Sequence, residues 1–228
     1  MFEDRRMFDD RTEAGRLLAG ELVRFAGERP VVLALPRGGV PIGFEIARAL
    51  DAPLDLVLVR KIGAPFQPEL AVGAVVDGSS PETVVNRDVL EHFQIDEGFI
   101  AEASRQQLEE IERRRQLYLA GRPKVEVAGR TAIVVDDGIA TGATMEAALR
   151  ATRRREPRHL VLATPVAPPE TIERLRPEVD EVVCLATPQY FGAIGAFYRD
   201  FRQLGDEDVI RLLADAAAFG APETPGLS

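Results

Sequence analysis

The chain has 228 residues, 46% hydrophobic and 29% charged, a balance that supports a full buried core within one large domain. A net charge of -9 argues against a general nucleic-acid surface, which needs clustered Lys and Arg to neutralise phosphates. The lone cysteine, Cys184, excludes an internal disulfide or a cysteine metal cage, and its apolar neighbours mark it as a small core residue.

The charged start Met1–Arg6 leads into no apolar leader-like stretch, and no apolar run approaches the ~20 residues that span a bilayer. A cytoplasmic protein without membrane contact is expected. Asp9 or Asp10 can cap a helix running to about Ala26, with Leu17, Leu18, Leu22 and Phe25 along one face. An apolar run, Val31–Leu35, follows and ends at Pro36-Arg37-Gly38-Gly39-Val40-Pro41. Two glycines beside an arginine at a strand end let the backbone approach a phosphate while the guanidinium clamps it, although such turns also occur as plain connections. A helix over Pro41–Leu50 leads to the apolar run Leu54–Val59, which delivers the cations Arg60 and Lys61.

Residues 62–129 depart from simple alternation. Ala71–Asp77 and Thr83–Val85, separated by Gly78-Ser79-Ser80-Pro81, predict a hairpin, and a long charged helix is expected from Asp96 to Ala120, including Arg113-Arg114-Arg115. Such insertions tend to be lids or added subdomains. Gln67, Glu69 and Arg87 are its polar candidates for closing over a site. His92 falls within it and His159 beyond it; both read as surface residues rather than zinc ligands.

Thr131–Val135 then runs into Asp136-Asp137-Gly138-Ile139-Ala140-Thr141-Gly142-Ala143-Thr144, the most informative stretch of the chain. A buried strand delivers two carboxylates to the sheet edge, and a glycine-containing turn presents backbone N–H groups ahead of a helix over Thr144–Arg155. Amides at a helix N-terminus favour an anion, and the adjacent acids favour hydroxyls or a metal. A ligand with a phosphate at one end and a diol nearby, such as a ribose 5-phosphate, satisfies both halves. Two further runs, His159–Thr164 and Glu181–Ala186, flank a helix over Pro169–Leu175. Residues 187–205 concentrate five aromatics, Tyr190, Phe191, Phe197, Tyr198 and Phe201. A last helix spans Asp206–Phe219, before a frayed tail over Ala221–Ser228. Continuous apolar runs alternating with helices predict a three-layer α/β/α sandwich around a mainly parallel sheet of five to six strands.

The Asp136–Thr144 run resembles the loop that binds phosphoribosyl pyrophosphate (PRPP) in the class I phosphoribosyltransferases, at every position of that loop. The resemblance implies one such domain over 1–228, with 62–129 as a flexible-loop and helical insertion and 187–205 as a small hood. It assigns Asp136 and Asp137 to catalysis at the ribose and, through water, to Mg2+. It gives Gly138, Ile139, Ala140, Thr141, Gly142, Ala143 and Thr144 to the 5'-phosphate. Arg37, Gly38, Gly39, Arg60 and Lys61 fall to the pyrophosphate, and Tyr190 and Phe191 to stacking on a base. Ala140 stands where hypoxanthine-guanine enzymes carry an acid, so the loop is closer to the adenine type. The segment after Lys61 lacks the Ser-Tyr pair common in the family's flexible loop.

The implied reaction moves a phosphoribosyl group from PRPP to a nitrogenous acceptor and releases pyrophosphate, with a homodimer as the commonest assembly. The alternative is a non-catalytic PRPP-binding regulator acting through a protein partner. An unrelated dinucleotide or Walker-type site would need glycine motifs that the chain lacks in suitable context.

Overall fold

The computed structural model describes residues 7–77, 82–85, 87–119, 121–122 and 124–220. The expected turn over Gly78–Pro81, the charged start Met1–Arg6 and the tail Ala221–Ser228 lie outside the described residues.

Helix α1 (Arg11–Leu22) begins where the Asp10 carboxylate accepts the Glu13 backbone N–H at 2.8 Å, and it continues as a 3-10 turn over Val23–Glu28. Strand β1 (Val31–Ala34), helix α2 (Gly39–Leu50) and strand β2 (Leu54–Leu56) follow. The insertion is a separate antiparallel sheet of β3 (Val59–Ala64), β4 (Gln67–Val76) and β5 (Glu82–Val85), then α3 (Arg87–Phe93) and α4 (Glu97–Leu119). The chain returns through β6 (Thr131–Val135), α5 (Ala143–Arg153), β7 (His159–Val166), α6 (Pro169–Leu175) and β8 (Glu181–Ala186). A 3-10 turn over Ile194–Phe197 and helix α7 (Asp206–Asp215) complete it.

The main sheet has the order β2-β1-β6-β7-β8, and every pairing in it is parallel. One face packs on α1, α2, α7 and the aromatic segment, the other on α5 and α6, which gives the expected three layers. Ile133, Val134 and Val135 are 0% exposed, so each side chain contributes roughly 1.5–3 kcal/mol of burial. That rigid strand is what allows a polar loop to be carried at its end. From the central β1–β6 pair the chain winds outward in opposite directions, to β2 and to β7, so this pair is the topological switch point of the sheet.

Three expectations need correction. The run Leu54–Val59 is not one strand: β2 stops at Leu56, the buried Val57 makes one last backbone bond to the Ala34 carbonyl at 3.0 Å, and Val59 opens the second sheet. Helix α3 was not anticipated. His159 is partly buried, its ring 5.7 Å from that of Phe25, rather than a surface residue. Cys184 is partly buried, and desolvation pushes its thiol up to about 11, in keeping with an inert side chain. Among the described residues no helix is long and apolar enough to cross a membrane.

Candidate functional site

Ala34 lies opposite Val135, so the loops after β1 and β6 leave the sheet side by side. Leu35 N–H reaches over to the Val135 carbonyl at 2.9 Å, the Pro36–Arg37 peptide bond is cis, and Gly39 N–H returns to the Leu35 carbonyl at 3.0 Å. The Asp137 carboxylate occupies the space above Gly38: a Cβ there would overlap both of its oxygens. Glycine is required here for close approach rather than for an unusual φ.

Asp136 is half-buried, Asp137 is 7% exposed, and the Asp137 N–H donates to Asp136 Oδ1 at 2.8 Å. Burial, reinforced by the neighbouring Asp137 charge, pushes the Asp136 carboxyl well above the usual carboxylate range. Burial also raises Asp137, against the lowering effect of Arg11.

Two carbonyls of the rest of the loop are taken up by side chains of α6. Thr171 Oγ1 donates to the Ala140 carbonyl at 2.8 Å, and Arg174 donates to that of Thr141. Gly142, with φ 73°, precedes α5, where a side chain would be strained and would meet Arg174 and Thr171. The first turn of α5 therefore offers amide donors that the helix cannot pair itself, the usual construction of an anion site.

The expected cations separate. Arg37 stands beside the loop, 3.8 Å from Asp206. Arg60 and Lys61 do not end a parallel strand; they lie inside β3, where successive side chains point to opposite faces. Arg60 donates to Gln107 at 3.0 Å and, with Arg114 of α4, lines a cavity of about 30 Å³ that also touches Pro36 and Thr144. Lys61 is exposed and outside that cavity. The loop candidates Gln67 and Arg87 are exposed, and nothing is described for the Glu69 side chain.

In the aromatic segment Tyr190 is 94% exposed and Phe191 stacks on Phe197 at 5.3 Å. Ile194 packs over Gly138, and the Tyr198 hydroxyl donates to the Asp137 carbonyl at 2.6 Å. A cavity of about 440 Å³ opens beside the two loops, lined by Arg11, Arg37, Gly38, Asp137, Phe201 and Arg202. Tyr190 and Phe191 are not among its walls. A larger cavity of about 730 Å³ sits in the insertion between β5, α3 and α4, and no residue of either loop lines it.

Arg11, Tyr198, Phe201, Thr171 and Arg174 were missed as site residues. Arg11 carried a signal: it is a cation in the first turn of a helix, where the helix dipole opposes positive charge. Among the described residues no group of three or more His, Cys, Asp or Glu side chains could hold a metal. With Arg11 already engaging Asp137, the acid pair fits a cation held chiefly by ligand oxygens and water, as Mg2+ commonly is.

A family model described as the phosphoribosyl transferase domain matches residues 10–202, from the cap of α1 through the aromatic segment. The chain belongs to the phosphoribosyl transferase family. The solved structure of TT1426 from Thermus thermophilus is 46% identical, with a TM-score of 0.81, and the match covers 92% of this chain and 99% of that one. Two Mycobacterium tuberculosis relatives, from strains CDC 1551 and H37Rv and provisionally named phosphoribosyl transferases, are 45% identical over 97% of this chain. The match covers 51% of each, so the chain spans about half the length of these curated relatives. Both loops and the five aromatics from Tyr190 to Phe201 lie inside the family match, while α7 lies beyond it.

Proposed function

We propose that this phosphoribosyl transferase takes PRPP as donor, transfers its phosphoribosyl group to a nitrogenous acceptor and releases pyrophosphate. The observation that carries the reading is the pairing of an acidic, amide-rich loop and a glycine loop at the switch point between β1 and β6. A donor with a phosphate, a diol and a pyrophosphate spans these features better than a simple sugar phosphate does.

In this reading the amides and hydroxyls of Gly138–Thr144 hold the 5'-phosphate. Asp136 and Asp137 set the polarity around the ribose hydroxyls. Arg37 and the Gly38–Gly39 turn hold the pyrophosphate, with Arg60 at the separate small cavity beside Pro36 and Thr144; Lys61 contributes at longer range if the insertion closes. As the leaving group departs, C1 of the ribose becomes cation-like, so the guanidiniums stabilise charge on the departing pyrophosphate. Asp136 and Asp137 would hold Mg2+ indirectly, through water, and the ion would supply Lewis-acid charge neutralisation. Tyr190 and Phe191 are the proposed stacking surface for the acceptor, which suits any flat ring. A cytoplasmic homodimer without nucleic acid or membrane partners completes the proposal.

The test is a screen of nucleobases and related nitrogen nucleophiles with PRPP and Mg2+, read by pyrophosphate release. Release with one acceptor class supports the reading. Saturable PRPP binding without release for any acceptor favours a regulator, and no PRPP binding defeats both.

A further inference from the structure

Arg11 is unusual for a side chain at a helix start. Its side chain is 11% exposed, Nε donates to Asp137 Oδ2 at 2.7 Å, and Nη1 donates to the Arg202 carbonyl at 3.0 Å. The guanidinium lies 3.8 Å over the ring centroid of Phe201. Burying a cation is costly, and the N-terminal dipole of α1 adds to that cost. Asp137, the carbonyl and the aromatic face together offset it at this one location.

The surrounding backbone shows what the contact joins. Phe8 N–H donates to the Phe197 carbonyl at 2.8 Å, Arg199 N–H to the Phe8 carbonyl at 2.9 Å and Asp200 N–H to the Asp9 carbonyl at 2.9 Å. Residues 8–11 are thus sewn onto the aromatic segment, and Arg11 reaches from that seam to the carboxylate lying over Gly38. Through one side chain, α1 couples the acidic loop, the glycine loop and the aromatic segment.

We infer that Arg11 is a positioning residue for phosphoribosyl transfer: it orients Asp137 against the Gly38–Gly39 turn and so holds the two substrate loops in mutual register. In this arrangement Asp137 links the two loops while also lining the cavity that opens beside them. The inference rests on the reading of this site as a PRPP site. An error of about 1 Å in the relative placement of the loops is enough to cost on the order of 100-fold in transfer rate.

The test is calorimetric titration of PRPP with Mg2+ into the wild type, Arg11→Ala and Arg11→Lys, well below each protein's melting temperature. Arg11→Ala is expected to weaken PRPP binding by about tenfold or more, the loss seen when an orienting partner of a ligating group is removed. Arg11→Lys should recover part of it, and guanidinium at low millimolar concentration should restore affinity to Arg11→Ala by refilling the gap beside Asp137. A general loss of packing would not respond to guanidinium. Unchanged affinity in folded Arg11→Ala overturns the inference, as does a loss that neither lysine nor guanidinium recovers. Failure of the wild type to bind PRPP overturns instead the reading on which the inference rests.

Discussion

At the amino-terminal rim of the parallel sheet, Glu28 accepts the Thr131 hydroxyl at 2.6 Å and Arg158 at 2.8 Å, and these contacts, the hydroxyl first, hold its carboxyl below the usual range. Asp180, beside the start of β8, is likewise lowered by Arg153 and by the Leu160 N–H. At the opposite rim, just past the far end of β6, the acids behave in the reverse way: burial raises both Asp136 and Asp137. Acids at one rim are solvated and paired, which favours the fold. Those at the other are crowded and desolvated, a condition that costs stability and is expected where a ligand is to be held.

The comparison breaks most visibly at Gly38. Gly38→Ala places a methyl group against both Asp137 oxygens, and PRPP affinity is expected to fall by about 100-fold while circular dichroism stays that of the wild type. Retained affinity would mean that the two loops are not in register as described. Arg11→Met leaves a buried carboxylate without its cation and should destabilise the unliganded protein by about 3–5 kcal/mol in urea titration. A loss of a few tenths would show that water replaces the guanidinium freely.

A smaller effect of opposite sign is expected at Asp136. Because its folded pKa is raised, the neutral form favours folding, and stability falls as pH rises from the ordinary value of 3.8 toward the folded value. Asp136→Asn should therefore raise stability near pH 7 by about 1 kcal/mol while weakening PRPP binding. A drop in the melting midpoint would contradict the assigned cost. The smallest effect belongs to the other rim. Glu28 has a lowered pKa, so its stabilisation is present above its ordinary value of 4.5 and is lost as pH falls through its folded value. Glu28→Gln should lower stability only slightly at pH 7, since the pair is well solvated, and the gap from wild type should close in acid.

How much of this was legible depended on what each residue reports. Thr131–Val135, Glu181–Ala186 and Pro169–Leu175 were found with their observed bounds, because continuous apolar runs and a proline at a helix start are direct signatures of parallel strands, buried in the centre and half-buried at the edge, and of a first helical turn. The break after Leu56 was invisible, since Val57 and Leu58 are buried at 3% and 2% exposure while the backbone passes from one sheet to the other, Val57 N–H still donating to the Ala34 carbonyl and the Leu58 carbonyl already accepting from Asp77 N–H. Hydrophobicity reports burial, not pairing, and Arg60 was consequently placed at a strand end instead of inside β3. The acidic loop was readable because its members are contiguous. Arg11, 126 residues from Asp137, was not, because only the folded chain brings the two together.

In the proposed function the rim above β1 and β6 holds PRPP by both of its ends. The most direct measurement is a calorimetric comparison of PRPP with ribose 5-phosphate, each with Mg2+, on the wild type and Arg37→Ala. PRPP is expected to bind the wild type at least about tenfold more tightly than ribose 5-phosphate, with Arg37→Ala erasing most of that difference and leaving ribose 5-phosphate unaffected. Equal affinity for the two ligands, or an Arg37→Ala variant that keeps the preference, would contradict the account.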